Sequence, residues 1–488
     1  MTERMDLLTD EQMAQFITKG YLVLKNDLPE QLHQKVRDKI YKVIHEEGNP
    51  GNNILPRVPE IQQFFETPVV RGALTSILGE DYYMHPHRHC HYNRPGNPTP
   101  GGGKWHKDGY WSSLRSHRPW WAILFYYTQD ITEELGPTAI MPGTQYYEKF
   151  LGDKGETLLP TGKAGTMVLV HFDLWHKATL NVSELDRYML KFQFVRLKAP
   201  DRPSWDHRNP GMTVPDGMPA QHPELWKDVW DWLRGDQDSG VRSSDWTAGK
   251  VEEIGNNLGS SSEIEALNAA YALGRMGSSG VEELVKHLGN GSKQVAERAS
   301  YGLQPAGAQA IPFVQPLLSH PDDFCRGLAC FVIGMMGPAA REAVPSLVSC
   351  LEDESEWVRR NAVEALGMIG KPYSVSVQAV TETLQRSVEQ EADEVALNSG
   401  DMYVGQQKYI INKVGYTAAL SLLRIGKYGE EEIVIRGLEQ ALTSRDRYVR
   451  AYASEALTQL RTDKAVEVLI RYYRTSRWCP DTSKASTF

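Results

Sequence analysis

Cysteine is scarce and odd in number: Cys90, Cys325, Cys330, Cys350 and Cys479 are the only five in 488 residues. So few thiols in so long a chain argue against a disulfide framework, and Cys325 and Cys330 are too widely spaced for a CxxC pair. A reducing compartment is the natural setting. Also missing is any run of about 18 apolar residues that would span a bilayer. The first residues lack the basic, apolar and small-residue regions of a secretion signal. Nor is there a surplus of positive charge, the net charge being −9. That balance speaks against nucleic acid as a partner, which calls for a basic footprint, and against adhesion to anionic membranes. A cytoplasmic protein of two or three domains is expected.

What is present divides in two. Twelve of the 14 histidines fall at or before His222, and imidazole-rich segments are where transition-metal chemistry is sought. In the opening LTDEQMAQFITKGYLVL, Thr9 and Gln12 have capping-box spacing, Gly20 ends the helix, and Tyr21–Leu24 read as a strand. From about 80 to 198, runs such as WWAILFYY and GTMVLVHF are bounded by Gly, Pro and Asp, as in a sandwich or barrel of short strands. Residues 200–250 read as irregular, with one helix near HPELWKDVWDWLRG.

The second half repeats itself. ALGRMG, GLQPAG, VIGMMG, ALGMIG, SLLRIG and ALTQLR start at residues 272, 302, 332, 365, 421 and 456. A period of this size means stacked supersecondary units. Each motif closes one helix and an apolar second helix follows. The array resembles HEAT-like repeats, and the wide fourth spacing implies an insertion near 390–410. Catalytic and repeat domains are expected at about 1–250 and 251–488.

The chemistry is sought in GGGKWHKDGYW. On a strand, His106 and Asp108 point to one face and one imidazole and one carboxylate can grip one metal. A later strand brings His171 or His176 as a second imidazole. Two histidines and a carboxylate leave open positions on an octahedral iron(II). Arg187, on the next strand, offers a planar and permanently charged clamp for a carboxylate.

Over about residues 5–235 the chain resembles the phytanoyl-CoA dioxygenase family of Fe(II)/2-oxoglutarate oxygenases. The likeness rests on the N-terminal segment, on HKD in place of the family's HxD, on DITEELGPTAIMPGTQ, and on His176, Asn181 and Arg187 in H-x4-N-x5-R spacing. This spacing selects His176 over His171. The resemblance implies a double-stranded β-helix, or jelly roll, with flanking helices and a core at about 80–198. It further implies Fe(II) on His106, Asp108 and His176, 2-oxoglutarate on Arg187 with Phe125 and Cys90 beside it, and O₂ as oxidant. One departure is Ala178, where many members carry a hydroxyl. An intact Asp108 favours hydroxylation, or a desaturating or ring-forming variant, over halogenation.

Tyr110, Trp111, Arg118 and His91 are the candidates for substrate contact, whereas Trp120 and Trp121 suit core packing. Alternation places His85, His87, His89 and His91 on one strand face, read as a polar pocket wall or a partly solvated strand rather than a second metal site. The expected substrate is a small organic molecule. The alternatives are a protein or peptide presented by the repeats, a non-catalytic scaffold, or a zinc hydrolase using the same ligands. The repeats are also a candidate surface for a protein partner or for self-association.

Overall fold

The computed structural model describes residues 5–96, 102–109, 111–150, 152, 156–216, 221–236, 246–391 and 410–475. The chain enters through helix α1 (Asp10–Lys19), whose capping box joins the Thr9 hydroxyl and the Gln12 side chain reciprocally. Gly20, at φ 77°, ends the helix in the left-handed region. A side chain is strained there, and the turn drops the chain straight into β1 (Tyr21–Lys25). Helices α2 (Glu30–Glu47) and α3 (Pro68–Leu78) follow before the main strands begin.

Seven more strands complete the N-terminal half. They are β2 (Tyr82–Met84), β3 (His89–Asn93), β4 (Trp121–Tyr127), β5 (Thr138–Ile140), β6 (Thr166–His171), β7 (His176–Ala178) and β8 (Arg187–Arg196). The larger sheet runs β1-β6-β4-β8-β2, with β3 also paired to β8, and every pairing is antiparallel. Strands β4, β6 and β8 are buried along their whole length. Burial on both faces explains why their sequences read as continuous apolar runs instead of alternating. The smaller sheet pairs β5 with β7. The expected two-sheet architecture is thus present, but the second sheet is short among the described residues. The HxD motif joins it through one bridge, His106 to His176, and not as a strand. The apolar and aromatic helix α4 (Pro223–Leu233) follows at the predicted place.

Helix α5 (Ala248–Asn256) precedes the repeats. Their first helices are α6 (Glu263–Gly274), α8 (Lys293–Gly302), α9 (Asp323–Met335), α10 (Glu356–Ile369), α12 (Lys413–Ile425) and α14 (Arg447–Leu460). Intact second helices are α7 (Gly277–Asn290), α11 (Tyr373–Glu389), α13 (Glu431–Ala441) and α15 (Asp463–Thr475). After α8 and α9 the second helix is broken into short turns that carry Pro312, Pro316, Pro338 and Pro345 at their second positions. The recurrent glycines of the motif have a packing cause: a Cβ on Gly274 would lie 2.0 Å from the Gly302 carbonyl oxygen. Of the insertion expected near 390–410, residues 392–409 lie outside the described residues.

Every first helix reaches the N-terminal half. The Tyr271 hydroxyl meets His117 Nδ1 at 2.9 Å, and the Tyr301 ring packs on the same imidazole. Arg360 donates to the Trp111 carbonyl at 2.6 Å, while Glu364 accepts from both Ser113 N and Oγ at 3.0 Å. Tyr416 meets His85 at 3.1 Å and Tyr448 meets His87 at 2.7 Å. Arg118 is the central tie. It pairs bidentately with Asp228 of α4 at 3.0 and 3.1 Å and donates to the carbonyls of Gln304 and Met335. The expectation that Arg118 touches substrate is therefore corrected: its guanidinium is consumed by this buried ion pair.

Two outcomes follow. Arg118→Ala leaves Asp228 buried without its counter-charge and is expected to lower stability by about 3–5 kcal/mol in urea unfolding; an unchanged midpoint would show that the tie is dispensable. The imidazoles of His85 and His117 are held well below their ordinary range by burial, and those of His171 and His222 are pushed down to about 4 by the same cause. Unfolded, they titrate near 6.5, so below that pH the folded chain binds fewer protons. Their contribution is complete above about pH 7 and is lost as the pH falls from 6.5 towards 4. Urea midpoints should drop steadily from pH 7 to pH 5, and equal midpoints would contradict neutral buried imidazoles.

Candidate metal centre and its cavity

The metal-ligating candidates come from two segments that meet edge to edge. His106 N donates to His176 O and His176 N to His106 O, each at 3.0 Å. This pairing brings the two rings to a centroid distance of 4.5 Å. Each ring is oriented by its own Nδ1, which donates to a backbone carbonyl: His106 to Lys104 O at 2.8 Å, His176 to Leu174 O at 2.9 Å. Both Nε2 atoms are thereby left for a ligand, the arrangement in which an outer hydrogen bond sets the tautomer. Asp108 Oδ1 lies 3.7 Å from His176 Nε2. One ligand atom from each of His106, Asp108 and His176 lies within 4.8 Å of the others. His171 is elsewhere, at the end of β6 beside Phe16 and Tyr146.

The loop carrying Asp108 is pinned from behind. Arg115 donates to the Asp108 carbonyl oxygen at 2.6 Å and pairs with Asp173. Lys107 points away from the cluster and donates to Gln145 O at 3.0 Å. Burial by itself would raise the Asp108 carboxyl, but the Lys191 ammonium and His176 hold it well below the usual carboxylate range. An ionised carboxylate between two imidazoles is a donor set for a divalent transition metal.

The cluster opens into a cavity of about 770 Å³. One wall is the inner face of β8, where Arg187, Met189, Lys191 and Gln193 alternate, and β3 lies alongside it. Arg187 is 2% exposed, and its Nε and Nη1 are buried without a hydrogen-bond partner. A guanidinium so placed is costly unless an anion meets it. Phe125 from β4 lines the same space, its ring centroid 5.9 Å from that of His176. Cys90 lines it too, fully buried, its thiol pushed up to about 12 by burial. Trp111 and His91 also line the cavity; Trp111 Nε1 donates to Gln193 Oε1 at 2.6 Å, and His91 Nε2 is buried without a partner. Tyr110 lies outside the described residues.

Two features escaped the sequence reading. Lys191 forms an ion pair with Asp108, and its only signal was that it stands four residues after Arg187 on the same strand face. Asn181 does not itself line the cavity but backs its β3 wall. Its amide donates to Asn93 O at 3.2 Å and Leu185 O at 2.7 Å, and Asn93 in turn donates to Thr179 O. The middle residue of the H-x4-N-x5-R spacing therefore ties the loop before β8 to β3. Asn181→Ala is expected to cost about 2 kcal/mol by leaving buried carbonyls unmet. A loss below about 0.5 kcal/mol in urea unfolding would show that this tie does not hold the loop.

Fold and site together define a class: a β-sheet domain with a two-histidine, one-carboxylate cluster and a buried arginine in one cavity, joined to a helical repeat array. Residues 16–189 match the model of the phytanoyl-CoA dioxygenase (PhyH) family, and residues 310–399 match that of HEAT repeats. The chain thus joins a PhyH-like domain to a repeat region. No curated protein matches the chain. Similar solved structures include the non-haem α-ketoglutarate-dependent carbocyclase SnoK from nogalamycin biosynthesis, at 16% identity over 39% of this chain and 85% of the other, TM-score 0.34. EctD from S. alaskensis with bound Fe gives 15% identity over 48% and 86%, TM-score 0.35. Apo HygX from Streptomyces hygroscopicus gives 15% over 39% and 87%, TM-score 0.32. At this level of identity and overlap, a likeness says nothing of substrate or reaction. Among the described residues, no helix is long and apolar enough to cross a membrane.

Proposed function

We propose that the chain is an Fe(II)- and 2-oxoglutarate-dependent dioxygenase that oxidises a C–H bond of a small organic molecule, with succinate and CO₂ as co-products. The observation that carries this reading is Arg187: a buried guanidinium with two unpartnered nitrogens, in the same cavity as the His106, Asp108 and His176 cluster. A zinc hydrolase needs the three ligands but has no use for that cation. A dicarboxylate cosubstrate uses both, with one end at the metal and the other on the guanidinium.

The protein residues have distinct tasks. His106, Asp108 and His176 would hold Fe(II), their imidazole Nε2 atoms freed by the Nδ1 hydrogen bonds to Lys104 and Leu174. Arg187 would bind the distal carboxylate of 2-oxoglutarate, with Phe125 and Cys90 packing beside it. The iron supplies the activation of O₂ for C–H oxidation when the cosubstrate is bound. Trp111, Gln193 and β3 line the remaining space. A cavity of about 770 Å³ suits a small-molecule ligand.

The repeat domain, taken as 251–488 beside a catalytic domain of 1–250, serves on this reading as a brace. Its first helices are engaged by the N-terminal half itself, from Tyr271 through Tyr448. That occupancy disfavours a protein substrate presented on the same row of helices.

The test is an anaerobic titration of the purified apo-protein with Fe(II) and then 2-oxoglutarate. A weak visible absorption band of the chelated keto acid is expected in the wild type and none in His176→Ala. Arg187→Ala should weaken the dependence on 2-oxoglutarate by about 100-fold, roughly 3 kcal/mol, as a truncated buried charge pair does. An iron-loaded wild type with no band would refute the reading.

A further inference from the structure

The wall formed by β3 and β8 has two cationic ends. In register, Asn93 lies opposite Arg187, His91 opposite Met189 and His89 opposite Lys191. Arg187 and Lys191 are four residues apart on one strand, on the order of 13 Å at about 3.3 Å per residue. The Arg187 end is accounted for by the cosubstrate. The Lys191 end is not. It holds an ammonium that is 7% exposed, the neighbouring His89 and His91 rings, 4.4 Å apart between centroids, and the Gln193 side chain beneath Trp111.

The charges at this end do not balance. Asp108 is the one carboxylate among the described residues lining the cavity, and it faces both Lys191 and the candidate metal position. With a divalent ion, a doubly charged cosubstrate, Asp108, Arg187 and Lys191 all in place, the cavity keeps one net positive charge, and Lys107, which also borders it while donating to Gln145 O, adds no negative charge to offset it. A buried positive charge without full compensation is costly. The surrounding groups add hydrogen-bond donors and no second acid: His91 Nε2 is buried without a partner, and the Gln193 carbonyl is taken by Trp111, which leaves its amide N–H₂ as donor.

We infer that the substrate carries an anionic group, a carboxylate or a tetrahedral oxyanion such as a phosphate or sulfate ester, which seats on Lys191 and His89 under Trp111. This rests on the oxygenase reading above and narrows its substrate class. The seat lies at the far end of the β3–β8 wall from Arg187, so one anion orients the cosubstrate and a second orients the substrate. The solenoid supports this end of the wall. Tyr448 holds His87, and Arg360 holds the Trp111 carbonyl.

The test uses the full chain loaded with Fe(II) and saturating 2-oxoglutarate under anaerobic conditions. Acetate, methylphosphonate and sulfate are titrated separately, with binding followed by calorimetry and by the shift of the visible band. Expected is saturable binding of at least one anion, weakened at least 10-fold in Lys191→Met, partly recovered in Lys191→Arg, and weakened also in His89→Ala, with the band itself retained in Lys191→Arg and His89→Ala. The preferred anion then tells a carboxylate from a tetrahedral group. Binding that is absent from the wild type while its band is present overturns the inference. So does binding that is equal in wild type, Lys191→Met and His89→Ala. Loss of the band in Lys191→Met, with His89→Ala binding anions normally, also overturns it, because Lys191 then serves only Asp108. Absence of the band from the wild type is instead the failure of the oxygenase reading.

Discussion

Among its described residues, the segment 104–120 has almost no regular structure, and the geometry of the whole site depends on what pins it. Irregular backbone in a protein interior must find partners for its polar groups. Here they come from two sides. The reciprocal backbone bonds between His106 and His176 hold one end against the small sheet. Arg118, Ser113 and the Trp111 carbonyl hold the other end against α4 and the repeat helices. Asp108 sits between these anchors, with Arg115 on its carbonyl. Release of either anchor would let the carboxylate drift from the two imidazoles.

This makes the two halves one mechanical object. Aromatic hydroxyls of the repeats meet histidines of the sheet domain at His85, His87 and His117. These neutral-to-neutral hydrogen bonds satisfy buried imidazoles without burying charge, which would carry a desolvation cost. Among the buried charges at this boundary, Arg118 is compensated bidentately by Asp228. A solenoid whose first helices grip an enzyme domain of the same chain acts as scaffold for the pocket wall that Trp111 and His87 supply.

Much of this was legible in the linear pattern. The capping box at Thr9, the strands around Ile123 and Val168, and the helix near Trp230 follow from local signals that act over a few residues. The repeats were legible because the same helix–turn–helix grammar recurs, with glycine wherever helices approach closely. The HxD loop was less so. A period-two reading suggests a strand, but the tertiary bridge to His176 draws His106 and Asp108 together without one. Arg118 was misread because a cation next to aromatic residues looks the same in sequence whether it faces a ligand or a buried aspartate 110 residues away.

The sequence by itself determined the two-part organisation, the ordered elements and the candidate ligands His106, Asp108, His176 and Arg187, because helix caps, strand runs and motif spacings are local properties of the chain. The tertiary structure alone decided that Lys191 faces Asp108, that Asn181 ties a loop, and that the repeats lean on the sheet domain. Those facts depend on cross-strand register and on contacts between residues up to about 360 positions apart, such as His87 and Tyr448. Pairing at such range is set by how complementary surfaces bury their polar groups, and no short-range pattern encodes it.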